Sequence, residues 1–446
     1  MSQASQSAEA FSRGALTWTR VLQVGCSIAD QGFSVGGMFL VNIALARTQT
    51  KEEYGTFALS YSVYAFLTGL HNAAILEAYT IYGSGRYRER FPAYAWLLWR
   101  RNLFLAVAAA ASLTFLWVTL AWTAPALASR TVLGLGLTCG VLLTASFVRR
   151  TFYMRGRPDL AARYSAVYFA LCAGLLWLAL RVGILNGFCA FAIAAVAWGV
   201  AMLSVTRELP KRAAGPGFLE HEPGYWTEHW KYSGWVLVTA FVFQLTTQAY
   251  YWIAAGYLSV KGVADLRAMY NLVTPVEQLF AAIAMLILPM MSHRYAEKRM
   301  AGLLPVWKLY GVATLLVTGN FAVLVNFLGK PAMHMVYAGR FDDVAALLGT
   351  LALFPVVMGI GNTMNAALKS MEKPQAVFYA YAASGAATFL IGIPLVTYLG
   401  LRGAVYGMLV SGGAYTVALG MAFLSAVHAE GYAAPLEAAV KENPVH

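Results

Sequence analysis

Residues 264–294 read ADLRAMYNLVTPVEQLFAAIAMLILPMMSHR. This stretch is apolar enough to cross a bilayer, yet its first half carries Asn271, Pro275, Glu277 and Gln278. At about 1.5 Å of rise per residue, Glu277 lies roughly 20 Å from the start of this stretch, well inside hydrocarbon about 30 Å thick. A carboxylate at that depth costs at least about 2.5–3.5 kcal/mol unless it faces protein or a water-filled cavity. The stretch therefore predicts a cavity-lining helix in a polytopic bundle.

The composition indicates the same class of protein. Hydrophobic residues make up 59% of the 446 residues and charged residues only 12%, whereas a soluble protein carries about 25% charged residues. The net charge of +12 does not indicate nucleic-acid binding, because the basic residues stand in short clusters between apolar runs. In that position they set the orientation of membrane spans.

Apolar runs predict an all-α polytopic membrane protein with about twelve transmembrane helices. The predicted spans are 18–46, 55–82, 101–123, 131–153, 163–181, 184–206, 232–258, 266–293, 305–328, 344–369, 376–399 and 402–427. The longest connection, RELPKRAAGPGFLEHEPGYWTEHWK, divides these spans six and six. The predicted organisation is an N-terminal lobe at 1–206, a cytoplasmic linker at 207–231, a C-terminal lobe at 232–428 and a cytoplasmic tail at 429–446.

The two lobes show related sequence patterns. Each begins with a long span and a short polar loop, followed by a helix that contains Tyr, is interrupted by polar residues and ends in a basic loop. The pattern predicts two six-helix lobes related by a parallel pseudo-two-fold repeat. Alternate connections and the termini hold 23 of the 32 Lys and Arg residues, which predicts that both termini are cytoplasmic.

Several other classes of chemistry lack their sequence signals. The four cysteines, Cys26, Cys139, Cys172 and Cys189, fall inside predicted spans without metal-ligand spacing, so we expect buried, reduced thiols and no metal site. A nucleotide-binding loop and the HExxH, CxxC and nucleophile-elbow patterns are missing from the sequence, so we expect no cofactor and no direct ATP coupling. The first apolar run is long and contains Asp30, which argues against a cleaved signal peptide.

Three stretches resemble one known family, the O-antigen and exopolysaccharide flippases of the multidrug/oligosaccharidyl-lipid/polysaccharide exporter superfamily. The first is LVTPVEQLFAAIAMLILPMMS at 272–292, which is similar to that family's eighth helix. The second is NAALKSMEKPQAVFYAYAASGAATFLIGIPLVTYLGLRGAVYGMLVS at 365–411, similar to the family's last third. The third is ALAR at 44–47 followed by EEYGTFAL at 52–59.

The resemblance implies a fold and a function. It implies two six-helix lobes that form a V around a central cavity in the bacterial inner (plasma) membrane. It also implies export of a lipid-linked (polyprenyl-diphosphate) oligosaccharide from the inner to the outer leaflet by alternating access, for cell-surface polysaccharide such as lipopolysaccharide O-antigen or exopolysaccharide. Its partners would be this substrate, the lipid bilayer and other polysaccharide-assembly proteins, without nucleic acid.

Acidic residues inside the spans are candidate coupling-ion sites. Glu277 either faces the cavity, where it contacts sugar hydroxyls or binds a coupling proton, or is a structural carboxylate paired with Arg267 or a polar neighbour. Asp30 is either the matching carboxylate of the first lobe or an interhelical hydrogen-bond acceptor that fixes packing. Glu77 lies six residues after His71, so the two are not strictly on one helix face. A proton relay there competes with a His hydrogen-bonded in a helix interface.

Basic residues near the predicted inner ends of spans are candidate diphosphate ligands. Arg149 and Arg150 end the fourth span, with Arg155 and Arg157 just beyond, and Lys369 ends the tenth. The planar fork of donors on Arg suits phosphate oxygens. Arg149 is the preferred candidate because it is deepest, and the alternative for the whole cluster is anchoring at the cytoplasmic face.

Amides at helical spacing are candidates for a sugar path. Gln244 and Gln248 are spaced i, i+4 in the seventh span, and Asn271 begins the eighth. The alternative role of such amides is packing between helices. Neighbouring aromatic residues 250–252 either stack on sugar rings or belong to an interfacial aromatic belt, which is the expected arrangement.

Two other functions compete with the flippase. A cation-coupled multidrug antiporter of the same superfamily shares the fold, and an acidic, aromatic cavity would favour it over a basic one. A membrane-embedded polymerase or glycosyltransferase usually needs a large external loop. The longest outer connections are predicted at only about fifteen residues, such as 329–343, so we do not expect an enzyme.

Overall fold

The fold is described by a computed structural model that covers residues 18–84, 87–123, 129–209 and 224–442. Within these ranges the chain forms twelve helices, which we number α1 to α12. We call α1–α6 the first half and α7–α12 the second half. Parts of the predicted linker and tail, and the N-terminal residues before Trp18, lie outside the described residues.

The helices of the first half are α1 Trp18–Thr48, α2 51–84, α3 Phe91–Thr123, α4 Arg130–Met154, α5 Pro158–Val182 and α6 Gly187–Ser204. The helices of the second half are α7 225–258, α8 260–297, α9 300–337, α10 345–370, α11 374–399 and α12 Leu401–Glu442. Two of them contain a π-helical turn, Asn72–Leu76 in α2 and Thr388–Gly392 in α11.

Side chains define several helix starts at the end of the bundle that holds the α1–α2 connection. Thr50 accepts a hydrogen bond from the Glu53 amide at 3.2 Å, and Ser129 accepts one from the Val132 amide at 3.3 Å. Asn186 accepts from the Cys189 amide at 2.9 Å. These N-caps satisfy amide donors that the first helical turn leaves unpaired, so α2, α4 and α6 begin directly after the capping residues.

Helices α7, α8 and α9 follow one another with almost no loop. The helical stretch Tyr225–Tyr337 is broken at Ser259 (φ 72°) and again at Lys298 and Arg299. A positive φ in a residue other than glycine marks a sharp local turn. These two breaks separate the three spans predicted at 232–258, 266–293 and 305–328.

Nine stretches of the described helices are long and apolar enough to cross a membrane. This confirms the predicted all-α polytopic membrane protein. Most of α2, α7 and α8 falls outside those nine stretches. Helix α2 packs extensively against the helical stretch Tyr225–Tyr337, which contains α7 and α8.

Packing inside each half is extensive. In the first half α1 packs on α5, α3 on α4, and α6 on both α4 and α5. In the second half α12 packs on α10 and α11. The assignment of these halves to the predicted lobes at 1–206 and 232–428, and their relation by a parallel repeat, remain predictions.

Some details differ from the sequence predictions. Helix α3 begins at Phe91, ten residues before the predicted span, because the aromatic residues before the Arg pair continue the helix. The predicted fifteen-residue outer loop at 329–343 is wrong, since α9 extends to Tyr337 and a short turn leads into Ala345. All four cysteines are free, but only Cys139 and Cys172 are buried, whereas Cys26 and Cys189 are partly exposed.

A glycine permits a close approach between the halves. A Cβ added at Gly55 of α2 would lie 1.8 Å from the backbone oxygen of Val260, whereas one added at Gly234 would meet nothing within 4 Å. We expect Gly55→Ala to lower the free energy of unfolding by about 1–3 kcal/mol, because the backbones must separate. Thermal unfolding in detergent measures the change, with Gly234→Ala as the matched control. Equal stability of the two variants would contradict the tight crossing.

Candidate functional site

Helix α8 presents a polar face to the first half. Arg267, Tyr270, Asn271 and Gln278 are spaced three, four and seven residues apart, so they lie on one side of the helix. Glu277 follows Tyr270 by two turns on the edge of that face. This face meets α1 and α2, which supply the opposite wall of the site.

Glu277 lies against aromatic residues. Its Oε1 accepts a hydrogen bond from the Tyr270 hydroxyl at 2.6 Å. Among the described residues, no cationic side chain comes within 4.0 Å of it, although Arg267 lies near enough to attract it. Glu277 as a whole residue is of intermediate exposure, and its carboxylate is held by a tyrosine of its own helix.

Arg267 lies between aromatic rings of both halves. Its guanidinium carbon is 4.6 Å from the Tyr61 ring centroid and 5.8 Å from that of Tyr251. Its hydrogen bonds, to the Tyr251 hydroxyl and to Oδ1 of Asn42, are both 3.5 Å long. These distances are at the weak limit for a hydrogen bond, so the guanidinium is held chiefly by cation–π contacts.

Asn271 belongs to the packed contact between the halves. Its side chain is 1% exposed and donates to the Tyr54 hydroxyl at 2.9 Å and to Oδ1 of Asn42 at 3.5 Å. Tyr54 also donates to Asn42 at 3.3 Å. In this conformation the predicted sugar-binding amide of Asn271 is therefore used in helix packing.

Asp30 is the acceptor of a buried polar cluster inside the first half. The carboxylate is fully buried. Its oxygens accept from Arg149 Nε at 3.2 Å and Nη2 at 2.7 Å, from the Tyr153 hydroxyl at 2.7 Å and from Ser165. The Arg149 contact is a bidentate ion pair. Arg149, the preferred candidate for binding a diphosphate, is thus already neutralised by Asp30, the residue predicted as a coupling site.

A short chain of amides connects this cluster to the second half. Arg149 Nη2 donates to Oε1 of Gln31 at 3.4 Å, and Nε2 of Gln31 donates to Oε1 of Gln278 at 3.3 Å. Helices α1 and α8 are therefore joined at this depth by a neutral hydrogen bond. Sequence alone gives no sign of this contact, because the two glutamines are 247 positions apart.

Arg150 and Lys369 approach Glu77 from opposite halves. Arg150 Nη2 donates to Oδ1 of Asn72 at 3.1 Å, and the Lys369 side chain is exposed. Both are close enough to Glu77 for electrostatic attraction, yet neither has a carboxylate within 4.0 Å among the described residues. Glu77 accepts from the Tyr232 hydroxyl at 3.1 Å. Within the described parts of the chain, this end of the site therefore holds two cations that lack a direct ionic partner.

The π-helical turn of α2 positions this group. The Glu77 amide donates to the Asn72 carbonyl, an i to i+5 pairing that adds one residue to the turn. His71, immediately before the turn, is buried and lies 2.6 Å from Oδ1 of Asn102 on α3. His71 and Glu77 therefore contact different partners, and the π-turn itself has no sequence signal that would have predicted it.

The remaining candidates lie outside this group. Gln244 is partly exposed near Gly69 of α2, whereas Gln248 is only 8% exposed. The interfacial belt expected at 250–252 is wrong. Tyr250 and Tyr251 are buried, and Trp252 Nε1 donates to Ser62 of the first half at 2.9 Å.

Two arginines of the predicted basic cluster have acidic partners. Arg155 Nη1 lies 3.4 Å from a Glu208 carboxylate oxygen, and Arg157 Nη2 lies 2.8 Å from Oδ2 of Asp159. The hydrogen bond and charge of Asp159 raise the pKa of the exposed Arg157 guanidinium. These two arginines lie in the α4–α5 connection and not among the site residues on α1, α2 and α8.

Known proteins were compared with this chain at the level of sequence and of fold. The sequence matches no protein-family profile and no curated protein. The fold is similar to that of a multidrug resistance MATE family transporter of the MOP superfamily in an inward-facing conformation. The TM-score is 0.70 at 14% sequence identity, and the alignment covers 94% of this chain and 100% of that chain.

Two further solved structures extend the comparison. One is a MOP superfamily transporter from Pyrococcus furiosus Vc1 (DSM3638), described as having a binding pocket of reverse polarity, with a TM-score of 0.65 at 12% identity over 91% of this chain and 96% of that one. The other is an outward-facing multidrug resistance MATE family transporter, with a TM-score of 0.63 at 13% identity and the same coverage. At these identities the likeness defines the fold: this chain has the fold of MATE transporters of the MOP superfamily.

Proposed function

We propose that this protein is a membrane flippase that moves a lipid-linked oligosaccharide, carried on a polyprenyl diphosphate, from the inner to the outer leaflet by alternating access. The proposal combines the fold of MOP superfamily transporters with the charge of the site. The transporter of reverse pocket polarity supports it, because it indicates that this fold accommodates pockets of opposite charge.

The observation that carries the proposal is the pair Arg150 and Lys369. They come from opposite halves, and among the described residues neither contacts a carboxylate within 4.0 Å. A diphosphate offers several oxygens to such donors, and charge-assisted hydrogen bonds are the stronger ones. Arg149 contributes to the local positive field, although Asp30 neutralises most of its charge.

Tyrosines and amides on the walls suit the glycan part of this substrate. Tyr270 and Gln244 are partly exposed, and aromatic faces and amide groups contact sugar rings and hydroxyls. The polyprenyl chain would remain in lipid while the headgroup crosses between the halves. This route avoids moving a diphosphate through hydrocarbon, where an isolated charge is costly.

Glu277, Asp30 and Glu77 are the candidate coupling sites for a proton or sodium gradient. We expect Glu277→Gln to abolish transport while protein abundance stays normal, because the carboxylate accepts one hydrogen bond from Tyr270 and an amide oxygen can accept the same bond. The matched control is Glu297→Gln, an exposed glutamate on the same helix that contacts His293 and Arg294. Normal transport by Glu277→Gln would remove Glu277 from the mechanism.

A reconstituted assay tests the proposed activity directly. Purified protein is placed in vesicles that contain an undecaprenyl-diphosphate monosaccharide with a fluorescent, reductant-sensitive label on the sugar. Dithionite added outside destroys label in the outer leaflet at once. We expect the protein to increase the fraction of label destroyed, because the flippase delivers protected label to the accessible leaflet. The same fraction with and without the protein would contradict the proposal.

A cation-coupled multidrug antiporter is the second candidate. The specific observation that favours it is Glu277 beside Tyr270 and Tyr251, since a carboxylate among aromatic faces suits an organic cation. Two of the structural neighbours are described as multidrug resistance transporters. Cells lacking the antiporter would become sensitive to cationic dyes, whereas cells lacking the flippase would accumulate lipid-linked sugar.

The proposed location is the bacterial inner membrane with both termini in the cytoplasm. In this orientation Arg150, Lys369 and Glu77 lie towards the inner leaflet, where the diphosphate would be loaded. Other polysaccharide-assembly proteins are proposed partners. The predicted linker at 207–231 remains a candidate docking segment, and its residues 210–223 lie outside the described structure.

A further inference from the structure

The two halves are joined at the end of the bundle opposite the termini by an array of charged residues. The α1–α2 connection, residues 48–51, meets the first turns of α8 and the turn after α9. Lys51 Nζ lies 2.8 Å from Asp265 of α8 and 2.8 Å from Asp343 of the α9–α10 turn. One ammonium group thus holds two carboxylates that come from separate elements of the other half.

Lys51 is better shielded than the second ion pair at this end. The Lys51 side chain is 26% exposed and that of Asp265 is 14% exposed, whereas Lys261 and Glu52 are 60% and 53% exposed. The Lys51 ammonium also lies 5.0 Å from the centroid of the Phe341 ring. Shielded pairs are screened less by salt and water than exposed ones, so the two contacts differ in strength although both join the halves.

Two further contacts lie beside this ion pair. Gly55, one turn into α2, touches the Val260 backbone oxygen closely enough to leave no room for a Cβ. Arg340 donates to the backbone carbonyl of Gln49. A cavity of about 190 Å³ borders Lys51 and Arg340, which gives water access to the ammonium if the two carboxylates move away.

We propose that Lys51, with its two partners Asp265 and Asp343, forms the latch of an outer gate. Lys51 holds the two halves together at this end and releases both carboxylates when the cleft opens to the outside. The fold agrees with a closed outer end, since its overlap is higher with the inward-facing transporter than with the outward-facing one. A ligand-driven switch needs two states that differ in defined contacts. Here the contacts that differ between the two states are the ion pairs of Lys51 with Asp265 and with Asp343.

Opening of the gate is measured as a distance between two labels on opposite halves, and the measurement needs no substrate. In a background in which Cys26, Cys139, Cys172 and Cys189 are replaced by alanine, cysteines are introduced at Arg130 and Lys330, which are exposed near this end on opposite halves. Spin labels at these two positions report the separation of the halves in lipid vesicles by double electron–electron resonance. We expect Lys51→Met to raise the fraction of the longer distance roughly tenfold over the parent protein.

The control is Lys261→Met, which removes the exposed pair and is expected to leave the distance distribution unchanged. Asp343→Asn, at a side chain that is 63% exposed, tests the latch if Lys51→Met fails to fold, and it is expected to shift the distribution part of the way. An unchanged distribution in the folded Lys51 or Asp343 variant, or an equal shift in Lys261→Met, would overturn the proposal. Because the readout needs no substrate, either result is independent of the proposed flippase activity.

Discussion

Replacing Arg150 and Lys369 together by glutamine is expected to reduce the initial rate of lipid-linked sugar transport by about 100-fold or more, and either single change by about tenfold. A hydrogen bond to a charged group contributes about 1.5–3 kcal/mol, which corresponds to roughly 10- to 100-fold for each cation that contacts the diphosphate. The dithionite assay in vesicles measures the rate. Both residues are at least partly exposed, so the protein should remain folded.

Neighbouring basic residues supply the controls for this experiment. Arg157→Gln removes an arginine that is paired with Asp159, and Lys373→Gln removes an exposed lysine four residues after Lys369. Both controls are expected to keep the parent rate to within about twofold, since exposed charges contribute little. A double variant with the parent rate would exclude Arg150 and Lys369 as diphosphate ligands and would favour the antiporter.

Asp30→Asn is expected to lower the free energy of unfolding by about 3 kcal/mol. The carboxylate is fully buried and forms a bidentate ion pair with Arg149. Removing one partner of a buried pair leaves the other charge without compensation, at a cost of about 3–5 kcal/mol. The partial exposure of Arg149, 22%, places the expected value at the low end of this range. Thermal or chemical unfolding in detergent measures the change.

A second substitution distinguishes a structural role of Asp30 from a role in ion coupling. In the double variant Asp30→Asn, Arg149→Gln, the uncompensated charge is removed, so most of the lost stability should return. Asp159→Asn, at an exposed pair, is expected to cost no more than about 1 kcal/mol. Unchanged stability of Asp30→Asn would contradict the structural role of the pair. A stable double variant that does not transport would assign the Asp30–Arg149 pair a further role in transport.

The sequence predicts the fold far better than the site. Apolar runs locate spans such as 131–153 and 376–399 to within a few residues of the helices, because length and hydropathy decide what crosses a bilayer. The residues directly before α2 and α4, Thr50 and Ser129, are also recognisable N-caps. The predicted start of α3 lies ten residues too late, because a basic pair such as Arg100 and Arg101 does not by itself end a helix.

Pairing across the bundle could not be predicted in the same way. The sequence singles out Arg149 and Asp30 as polar residues of predicted spans, but they are 119 positions apart and no spacing rule connects them. Glu277 is predicted either to face the cavity or to pair with Arg267 or a polar neighbour across the bundle, and its hydrogen-bond donor is Tyr270 of its own helix. The latch joins residues 292 positions apart. Such contacts depend on how the two halves are positioned relative to each other, and a local sequence pattern does not encode that arrangement.

The most direct test of the proposed function uses a strain that lacks this protein. Polyprenyl-linked oligosaccharides are extracted, and their leaflet is determined by their accessibility to an impermeant reagent in intact cells. Our account predicts complete repeat units confined to the cytoplasmic face, with export restored by the parent protein and not by the double Arg150→Gln, Lys369→Gln variant. Repeat units that reach the outer face normally, in cells newly sensitive to cationic dyes, would contradict the flippase and support the antiporter.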